Sequence, residues 1–437
     1  MPIINNPELV PLIKSSYTRQ DLQNIEAFLQ KHNVLQFKSL PNGLFPAAAL
    51  QDSAVYTGYA SIWLRDNIHI AHAHHVVGKS SIAVKTINAL LTYMKTQAPR
   101  FEKMIRGESN PNSVMNRPHV RFDGLKLSDI DQTWAHAQND ALGYFLWLYF
   151  KLAKEGIVVP QPADLQFLSL FPLYFNALQY WQDEDSGHWE ETRKISASSI
   201  GVVVGALRMM RNFWTKQNLS GQYGLNTRTV TIETFDNLIT RGEEALKNIL
   251  LSECIQSAPT KARRYDGALL YLIYPLDVVN SKTAENIVSD VVANLQGEYG
   301  IRRYIGDSFW APGYKSKLSE DQRTADFSND LSARDAMLEK GQEALWCIFD
   351  PTLSAIYGRK YLATHKPEDL KLQTEYLNRS LGQITGTEGL QPTYSCPELY
   401  YIEDGKYVPS DATPLLWTQA NLMIALWSME KSLQAQN

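Results

Sequence analysis

The chain has 437 residues, of which 44% are hydrophobic and 20% are charged, so it holds enough apolar material for a large buried core. Its formal net charge of −4 at pH 7 offers no basic surface, and nucleic acid is not expected as a partner. Three cysteines without a CxxC motif indicate neither a disulfide framework nor a zinc site, and no cofactor is expected. The N-terminal segment lacks a signal pattern, and no apolar run reaches the roughly 18 residues of a membrane span. These features predict a cytoplasmic protein without a membrane partner.

Apolar residues recur at helical spacing from one end of the chain to the other. The predicted helices span, in chain order, residues 20–33, 66–77, 80–97, 131–155, 162–180, 197–217, 232–251, 267–279, 283–295, 337–363, 367–384 and 414–433. They tend to alternate between amphipathic and nearly all-apolar segments. This is typical of an (α/α)6 barrel, because the inner helices of such a toroid see little water and are apolar on every side. The sequence therefore predicts an all-α fold of this type.

Three of the predicted connections are long: residues 98–130, 300–332 and 385–413. Connections longer than about 12–15 residues in a compact domain are usually functional or disordered. These are rich in Trp, Tyr, Arg and Pro rather than in solvating charge, which favours a functional role. No low-complexity linker marks a boundary, so we expect residues 1–437 to form one catalytic domain. The long loops are expected to build its cleft at the N-terminal ends of the inner helices.

The segment GYASIWLRDNIHIAHAHH, residues 58–75, places Arg65 and Asp66 at the start of a predicted helix. The pair suits an N-terminal cap, with Asp66 at the positive end of the helix dipole. It also suits a polar clamp that hydrogen-bonds the hydroxyls of a ligand. The same segment carries His69, His72, His74 and His75. No acidic residue accompanies them at the spacing of an H-E-x-x-H motif, so no metal site is predicted.

The segment DIDQTWAHAQNDALGYFLWLYF, residues 129–150, gathers its polar residues at one end of a predicted helix. They are Trp134, His136, Gln138, Asn139 and Asp140. A surface helix carries its polar residues along one face, so this clustering is typical of an inner helix whose first turns border a cleft. A long N-terminal cap also explains the pattern and stays open.

In DEDSGHWEETRKISASSIGVVVGAL, residues 183–207, Glu190 and Glu191 follow Trp189 just before a predicted buried helix. The pair indicates either a solvated acidic turn or a site. Two further segments are GEYGIRRYIGDSFWAPGYK, residues 297–315, and YSCPELYYIEDGKYVPSDATPLLWTQANLMIAL, residues 394–426. Their candidate residues are Arg302, Arg303, Trp310, Tyr314, Glu398 and Asp411.

These five segments follow one another, from about residue 56 to about residue 430, in the order found in glycoside hydrolase family 15, the glucoamylases and their relatives, and the chain resembles that family. It is especially similar to the related domains of the phosphorylase kinase α and β regulatory subunits. The resemblance implies an inverting, exo-acting α-glucosidase that releases β-glucose from the non-reducing end of short α-glucans. The likeness to the kinase subunits implies an alternative, a non-catalytic glucan-sensing or regulatory protein. A helical-repeat scaffold is a third interpretation, but no fixed repeat period supports it.

Carried over residue by residue, the resemblance implies that Glu190 is the general acid and that Glu398, in the loop before the last helix, is the general base. The substrate-binding residues that we expect are Arg65, Asp66, Trp134, Trp189, Glu191, Arg303 and Trp310. The spacing from Glu398 to the last helix is longer than in the secreted fungal enzymes. It leaves three rival bases: Glu403, Asp404 and Asp411.

The proposed chemistry explains why two glutamates stand side by side. An inverting glycosidase needs a protonated carboxylic acid at the leaving oxygen and a carboxylate that activates water, roughly 6.5–9.5 Å apart. Trp189 is expected to remove water from Glu190, and Glu191 is expected to add like charge. Both effects raise the pKa of the acid. The preferred linkage depends on the shapes of the subsites and does not follow from these motifs.

Overall fold

The computed structural model describes residues 3–49, 58–323, 326, 328, 330–339, 341–387 and 392–436. The α-helices of these residues are α1 (Arg19–Lys31), α2 (Leu64–Val76), α3 (Ser80–Thr96), α4 (Ala98–Arg106), α5 (Asn139–Lys154), α6 (Pro162–Leu168), α7 (Leu170–Leu178), α8 (Ala197–Lys216), α9 (Ile232–Ile249), α10 (Ser281–Leu295), α11 (Tyr314–Lys317), α12 (Glu320–Arg323), α13 (Ser332–Asp335), α14 (Phe349–Thr364), α15 (Pro367–Gly382) and α16 (Leu416–Gln434). Most of the predicted helices are confirmed, with ends that differ from the prediction by at most about two residues. This is the precision expected at helix ends.

Six elements form a closed inner ring. In order, α2, α5, α8, a 3-10 helix at Gly267–Leu272, α14 and α16 each pack against the next, and α16 packs against α2. Each inner element also packs against one outer helix: α3, α7, α9, α10, α15 and α1 respectively. Two concentric layers of six elements define an (α/α)6 barrel, so the predicted fold class is confirmed.

The inner helices form where nearly every residue is apolar or small. All residues from 139 to 150 of α5 are buried, and so are all residues from 197 to 207 of α8. A glycine allows these two helices to approach closely, because a Cβ atom at Gly143 would lie only 2.9 Å from the side chain of Val202. Helices that are buried on all sides belong to an interior layer, which explains the absence of a polar face along them.

Short antiparallel β-strands accompany the barrel. Among the described residues they are β1 (Ile62–Trp63), β2 (Arg121–Asp123), β3 (Ser128–Asp129), β4 (Gly224–Leu225), β5 (Arg228–Thr229), β6 (Leu345–Trp346), β7 (Leu399–Glu403) and β8 (Lys406–Pro409). They form three small sheets, with the orders β1-β2-β3, β4-β5 and β6-β7-β8. In the first sheet, Arg121 is the cross-strand partner of Trp63. Strands of two to five residues carry too little alternation to be predicted from sequence.

Two of the predicted inner helices begin later than expected. The helix predicted at 131–155 begins at Asn139, because the backbone just before Asn139 forms hydrogen bonds with the loop that precedes α8. There the carbonyl of Ala137 accepts from the amide of Ser186 at 2.7 Å. The helix predicted at 337–363 begins at Phe349, because β6 just before it pairs with β7.

Two further predicted helices are also corrected. The segment predicted at 162–180 divides into α6 and α7, and that at 267–279 keeps a 3-10 helix only at Gly267–Leu272. Parts of the long connections predicted at 300–332 and 385–413 lie outside the described residues. In the part of the chain that the structure describes, no helix is both long and apolar enough to cross a bilayer.

Candidate active site

A cavity lies at the N-terminal ends of the inner elements, where the cleft was predicted. Its volume is about 150 Å³, roughly ten times the ~10–15 Å³ that one water molecule needs, so it has room for an organic ligand. Six tryptophans line it: Trp63, Trp134, Trp189, Trp310, Trp346 and Trp417. Asp66, Glu190 and Glu398 face the same cavity. The structure thus brings both predicted catalytic residues to one site.

Glu190 follows a short 3-10 turn, Gly187–Trp189, and adopts a left-handed backbone conformation with φ of 57°. Its side chain is 16% exposed. Atom Oε1 accepts hydrogen bonds from Gln138 Nε2 at 3.0 Å and Arg65 Nη2 at 3.3 Å, while Oε2 accepts from Trp63 Nε1 at 3.2 Å. Burial raises the pKa of Glu190 above its ordinary value, although Arg65 and the hydrogen bonds oppose the shift. A raised pKa is what a proton donor needs near neutral pH.

Glu191 lies next to the cavity wall and is not one of the lining residues. Its side chain is 2% exposed. Atom Oε1 accepts from Arg303 Nη2 at 2.8 Å and Arg334 Nη2 at 2.5 Å, and Oε2 accepts from the Tyr304 hydroxyl. Burial alone would raise its pKa, but Arg303, Arg334 and Arg263 hold the pKa of Glu191 well below its usual range.

Glu191 contacts Tyr304 and arginines, of which Arg303 and Arg334 line the cavity, so it fixes part of the cavity wall. Its role as a substrate-binding residue stays a prediction. Burial is the main cause that raises the pKa of Glu190, and the like charge of Glu191 is not among the main causes. The principal charged neighbours of Glu190 are Arg65 and Arg121, and both lower the pKa of Glu190.

Glu398 stands directly before β7 and is 2% exposed. The hydroxyl of Tyr59 donates to Oε1 at 2.6 Å, and the hydroxyl of Ser410 donates to Oε2 at 3.2 Å. Burial raises the pKa of Glu398 to about 7, and the two hydrogen bonds oppose that rise because they favour the ionised form. A carboxylate with two fixed donors is oriented for use as a base.

The rival bases lie away from the cavity. Asp404 is exposed in the turn between β7 and β8, and Glu403 is half-buried at the end of β7. Asp411 forms an ion pair with Lys315 at 2.5 Å. Of the four candidate bases, Glu398 is the one that lines the cavity.

Arg65 and Asp66 occupy the first turn of α2, and both line the cavity. Arg65 Nη1 donates to Asp140 Oδ2 at 2.7 Å and Gln138 Oε1 at 3.0 Å, so α5 fixes its guanidinium. Asp66 is buried, and burial raises its pKa to about 7, with Arg65 lowering it and Glu190 raising it. The N-cap position of α2 has no side-chain hydrogen bond, which favours the polar clamp over the cap.

Several tryptophans present unused hydrogen-bond donors. The indole Nε1 atoms of Trp134, Trp346 and Trp417 are buried and have no hydrogen-bond partner among the described residues. A buried donor without a partner costs about 1–3 kcal/mol, which a ligand with hydroxyl acceptors would recover. Flat rings together with such donors suit a sugar.

The other expected binding residues also line the cavity. Trp189 Nε1 donates to Asp266 Oδ1 at 2.9 Å, which fixes the ring beside Glu190. Arg303 Nε donates to Asp307 Oδ2 at 2.6 Å. Trp310 is 4% exposed and has a left-handed backbone, with φ of 53°.

Some cavity residues were not predicted. Tyr59 and Trp417 stand inside the quoted segments, so a search there for hydroxyl and indole donors could have found them. Arg334 and Trp346 lie outside every quoted segment and become neighbours of the site through long-range packing alone. The histidines of α2 are not among the lining residues, although His69 stacks on Trp417 at 4.4 Å. Burial lowers the pKa of His72 to about 3. No group of three metal-ligating side chains occurs within the described residues.

The site thus combines an (α/α)6 barrel with carboxylates that face a cavity lined by tryptophans. Residues 28–314 match the sequence profile of the Glycosyl hydrolases family 15, which covers more than half of the chain. The chain belongs to this family.

Relatives include both bacterial and animal proteins. The uncharacterized lipoprotein YgeQ of Escherichia coli (strain K12) is 30% identical over 208 residues, which cover 42% of this chain and 77% of that protein. The liver isoform of the phosphorylase b kinase regulatory subunit alpha from Oryctolagus cuniculus is 24% identical over 437 residues. The match covers 90% of this chain and 32% of that subunit, so the chain spans about a third of the kinase subunit's length.

Two solved structures share the fold. A glycosidase in complex with glucose superposes with a TM-score of 0.66 at 15% identity, over 95% of this chain and 99% of that chain. The glucoamylase from Saccharomycopsis fibuligera superposes with a TM-score of 0.57 at 12% identity, over 96% and 97%. At these identities the likeness concerns the fold alone.

Proposed function

We propose that the protein is an inverting, exo-acting α-glucosidase that releases β-glucose from the non-reducing end of short α-glucans. The observation that carries the proposal is the placement of Glu190 and Glu398 at one cavity, the first partly buried, the second fully buried, and each held by fixed hydrogen-bond donors. Family membership supports a glycosidase. The finer roles follow from the surroundings of each carboxyl group.

Glu190 acts as the general acid. Burial favours its protonated form, and Trp63 and Gln138 hold the carboxyl group in place. In a single displacement, the proton passes from Glu190 to the glycosidic oxygen as the bond from that oxygen to the anomeric carbon breaks and water attacks the same carbon. The leaving sugar departs as a neutral alcohol.

Glu398 acts as the general base. In its ionised form it accepts a proton from a water molecule, and the oxygen of that water bonds to the anomeric carbon on the face opposite the leaving group. Attack on that face inverts the anomeric configuration. The hydroxyl of Tyr59, which donates to Oε1, keeps the carboxylate oriented toward the cavity.

Exo action is supported by the filling of the barrel beneath the cavity. Tyr144, Tyr271 and His69 are buried there, and the His69 ring contacts the rings of both tyrosines. A pocket that is closed at its base admits a chain end and not the middle of a glucan. Arg65 and Asp66 are proposed to bind hydroxyls of the terminal glucose, with Trp134 and Arg303 along the wall.

The test is glucose release from a panel of maltose, isomaltose, kojibiose, trehalose and maltotetraose. NMR identifies which anomer of the released glucose forms first. Glu190→Gln and Glu398→Gln should each lower kcat by about 10²–10⁴-fold. Because fluoride needs little protonation, α-glucosyl fluoride should partly rescue Glu190→Gln and not Glu398→Gln. The proposal would be rejected if no member of the panel released glucose, or if α-glucose formed before β-glucose.

The second candidate is a non-catalytic glucan-sensing or regulatory protein. It is favoured by the similarity to a phosphorylase b kinase regulatory subunit along 90% of the chain. This function predicts sugar binding without turnover, and binding that stays the same in Glu190→Gln. Isothermal titration with maltose, run beside the activity panel, distinguishes the two.

A further inference from the structure

Arg121 is a buried cation that contacts two tryptophans of the cavity lining, and the roles above leave it unexplained. It is 7% exposed and stands on β2, directly across from Trp63 on β1. Its guanidinium Nη1 donates to Gln132 Oε1 at 2.8 Å, while Nε is buried without a hydrogen-bond partner. Within the described part of the chain it forms no ion pair with a carboxylate within 4 Å. A buried charge without such a partner is costly, so another interaction must hold it.

The guanidinium contacts two tryptophan rings of the cavity. Its central carbon lies 4.0 Å from the ring centroid of Trp134 and 4.8 Å from that of Trp63. Both distances are within the range of cation–π attraction. The two rings are themselves arranged edge to face, at 76° and with centroids 6.1 Å apart. One cation thus connects two indoles that line the cavity.

Gly58 leaves the space that this arrangement requires. It has a φ of 71°, and a Cβ atom there would lie 2.8 Å from Arg121 Nη2. Any side chain would therefore displace the guanidinium or strain the backbone. Trp134 lies in the extended segment before α5 and outside any strand, so side-chain contacts such as this one must orient its ring.

We propose that Arg121 is a positioning residue whose guanidinium orients the Trp63 and Trp134 indoles at the cavity wall. Through Trp63 it acts on Glu190, because Trp63 Nε1 donates to Glu190 Oε2 at 3.2 Å. Through its charge it favours the ionised form of the same carboxyl group. The inference rests on the proposed role of Glu190 as the acid.

The other titratable groups that act on Glu190 must be considered together. Arg65, from α2, lowers the pKa of Glu190. Asp66 interacts with Glu190 by like charge, and so does Tyr59 when it is ionised. A substitution at Arg121 leaves these side chains in the sequence, so its effect on Glu190 combines the lost charge with any change in the Trp63 hydrogen bond.

The test compares Arg121→Met, which removes the charge and keeps most of the length, with Arg121→Lys, which keeps the charge and removes the planar group. The titration of Glu190 is followed by NMR of protein labelled with ¹³Cδ-glutamate, its resonance assigned by its loss in Glu190→Gln. Arg121→Met should shift the Glu190 titration to higher pH. Arg121→Lys should leave that titration near the wild-type position. Both variants should raise KM for maltose, or its Kd, by about tenfold, the size of one strong cation–π contact.

Arg241→Met is the matched control, because Arg241 also stacks on a tryptophan, Trp181, at 4.9 Å and away from the cavity. It should change neither the titration nor KM. An unshifted Glu190 titration in folded Arg121→Met, with unchanged maltose binding, would overturn the inference. If Arg121→Met does not fold, Arg121→Lys decides by its maltose affinity, which a purely structural charge would leave unchanged. The NMR titration needs no turnover. An inactive wild-type protein would therefore reject the proposed function, while the titration would still decide whether Arg121 acts on Glu190.

Discussion

The burial of Glu398 predicts a specific dependence of stability on pH. Its pKa is about 7 in the folded protein and is ordinarily 4.5, so the folded state retains a proton that the unfolded chain releases between these values. Stability must therefore fall as pH rises through this window, because the folded state binds more protons than the unfolded state. Glu398→Gln removes the titrating group and keeps an oxygen that accepts from Tyr59.

The magnitude follows from the two pKa values. Ionisation of Glu398 should cost the folded state about 1 kcal/mol at pH 5 and about 3 kcal/mol at pH 8, at about 1.36 kcal/mol per pKa unit. The free energy of unfolding of Glu398→Gln, measured relative to wild type, should thus be larger at pH 8 than at pH 5 by about 2 kcal/mol.

Urea unfolding followed by tryptophan fluorescence at the two pH values measures this difference. Asp404→Asn removes an exposed carboxylate from the adjoining turn and serves as the control, with an expected effect within about 0.5 kcal/mol at both pH values. A difference between Glu398→Gln and wild type that is the same at pH 5 and pH 8 would refute the burial argument. Such a result would mean that Glu398 ionises freely in the folded protein.

Three other outcomes are expected. In the pH profile of kcat/KM, which reports the free enzyme, activity should fall below about pH 7 as Glu398 takes up a proton, and a flat profile down to pH 5 would contradict the assignment. Glu191→Gln should lower the free energy of unfolding, measured by chemical denaturation, by roughly 3 kcal/mol. The reason is that the arginines around Glu191 lose their carboxylate partner. A change below about 0.5 kcal/mol would contradict a stabilising role of these ion pairs. Gly201→Ala should destabilise the barrel by about 1–3 kcal/mol, because the new Cβ would lie 2.2 Å from Leu272. Calorimetry should show a lower Tm, and an unchanged Tm would mean that α8 and the 3-10 helix move apart without cost.

The sequence by itself determined the helical layers and located the segments that carry the candidate site. Apolar residues on every side of α5 and α8 indicated an inner layer because a helix without a polar face must be buried. The Trp-Glu-Glu segment and the Arg65–Asp66 pair could be found from sequence because each is local in the chain, and Arg65 and Glu190 meet at the cavity. The assignment of residues 1–437 to one domain and the cytoplasmic location stay predictions.

Tertiary structure alone decided which carboxylates face the cavity and what surrounds them. Tyr59 reaches Glu398 across 339 positions of the chain, and Arg334 reaches Glu191 across 143. Helical periodicity reports only neighbours three or four residues apart, so it cannot indicate pairs that are so distant in the chain. Glu191 is a further example, because only the closure of the ring brings three arginines from distant parts of the chain to its side chain.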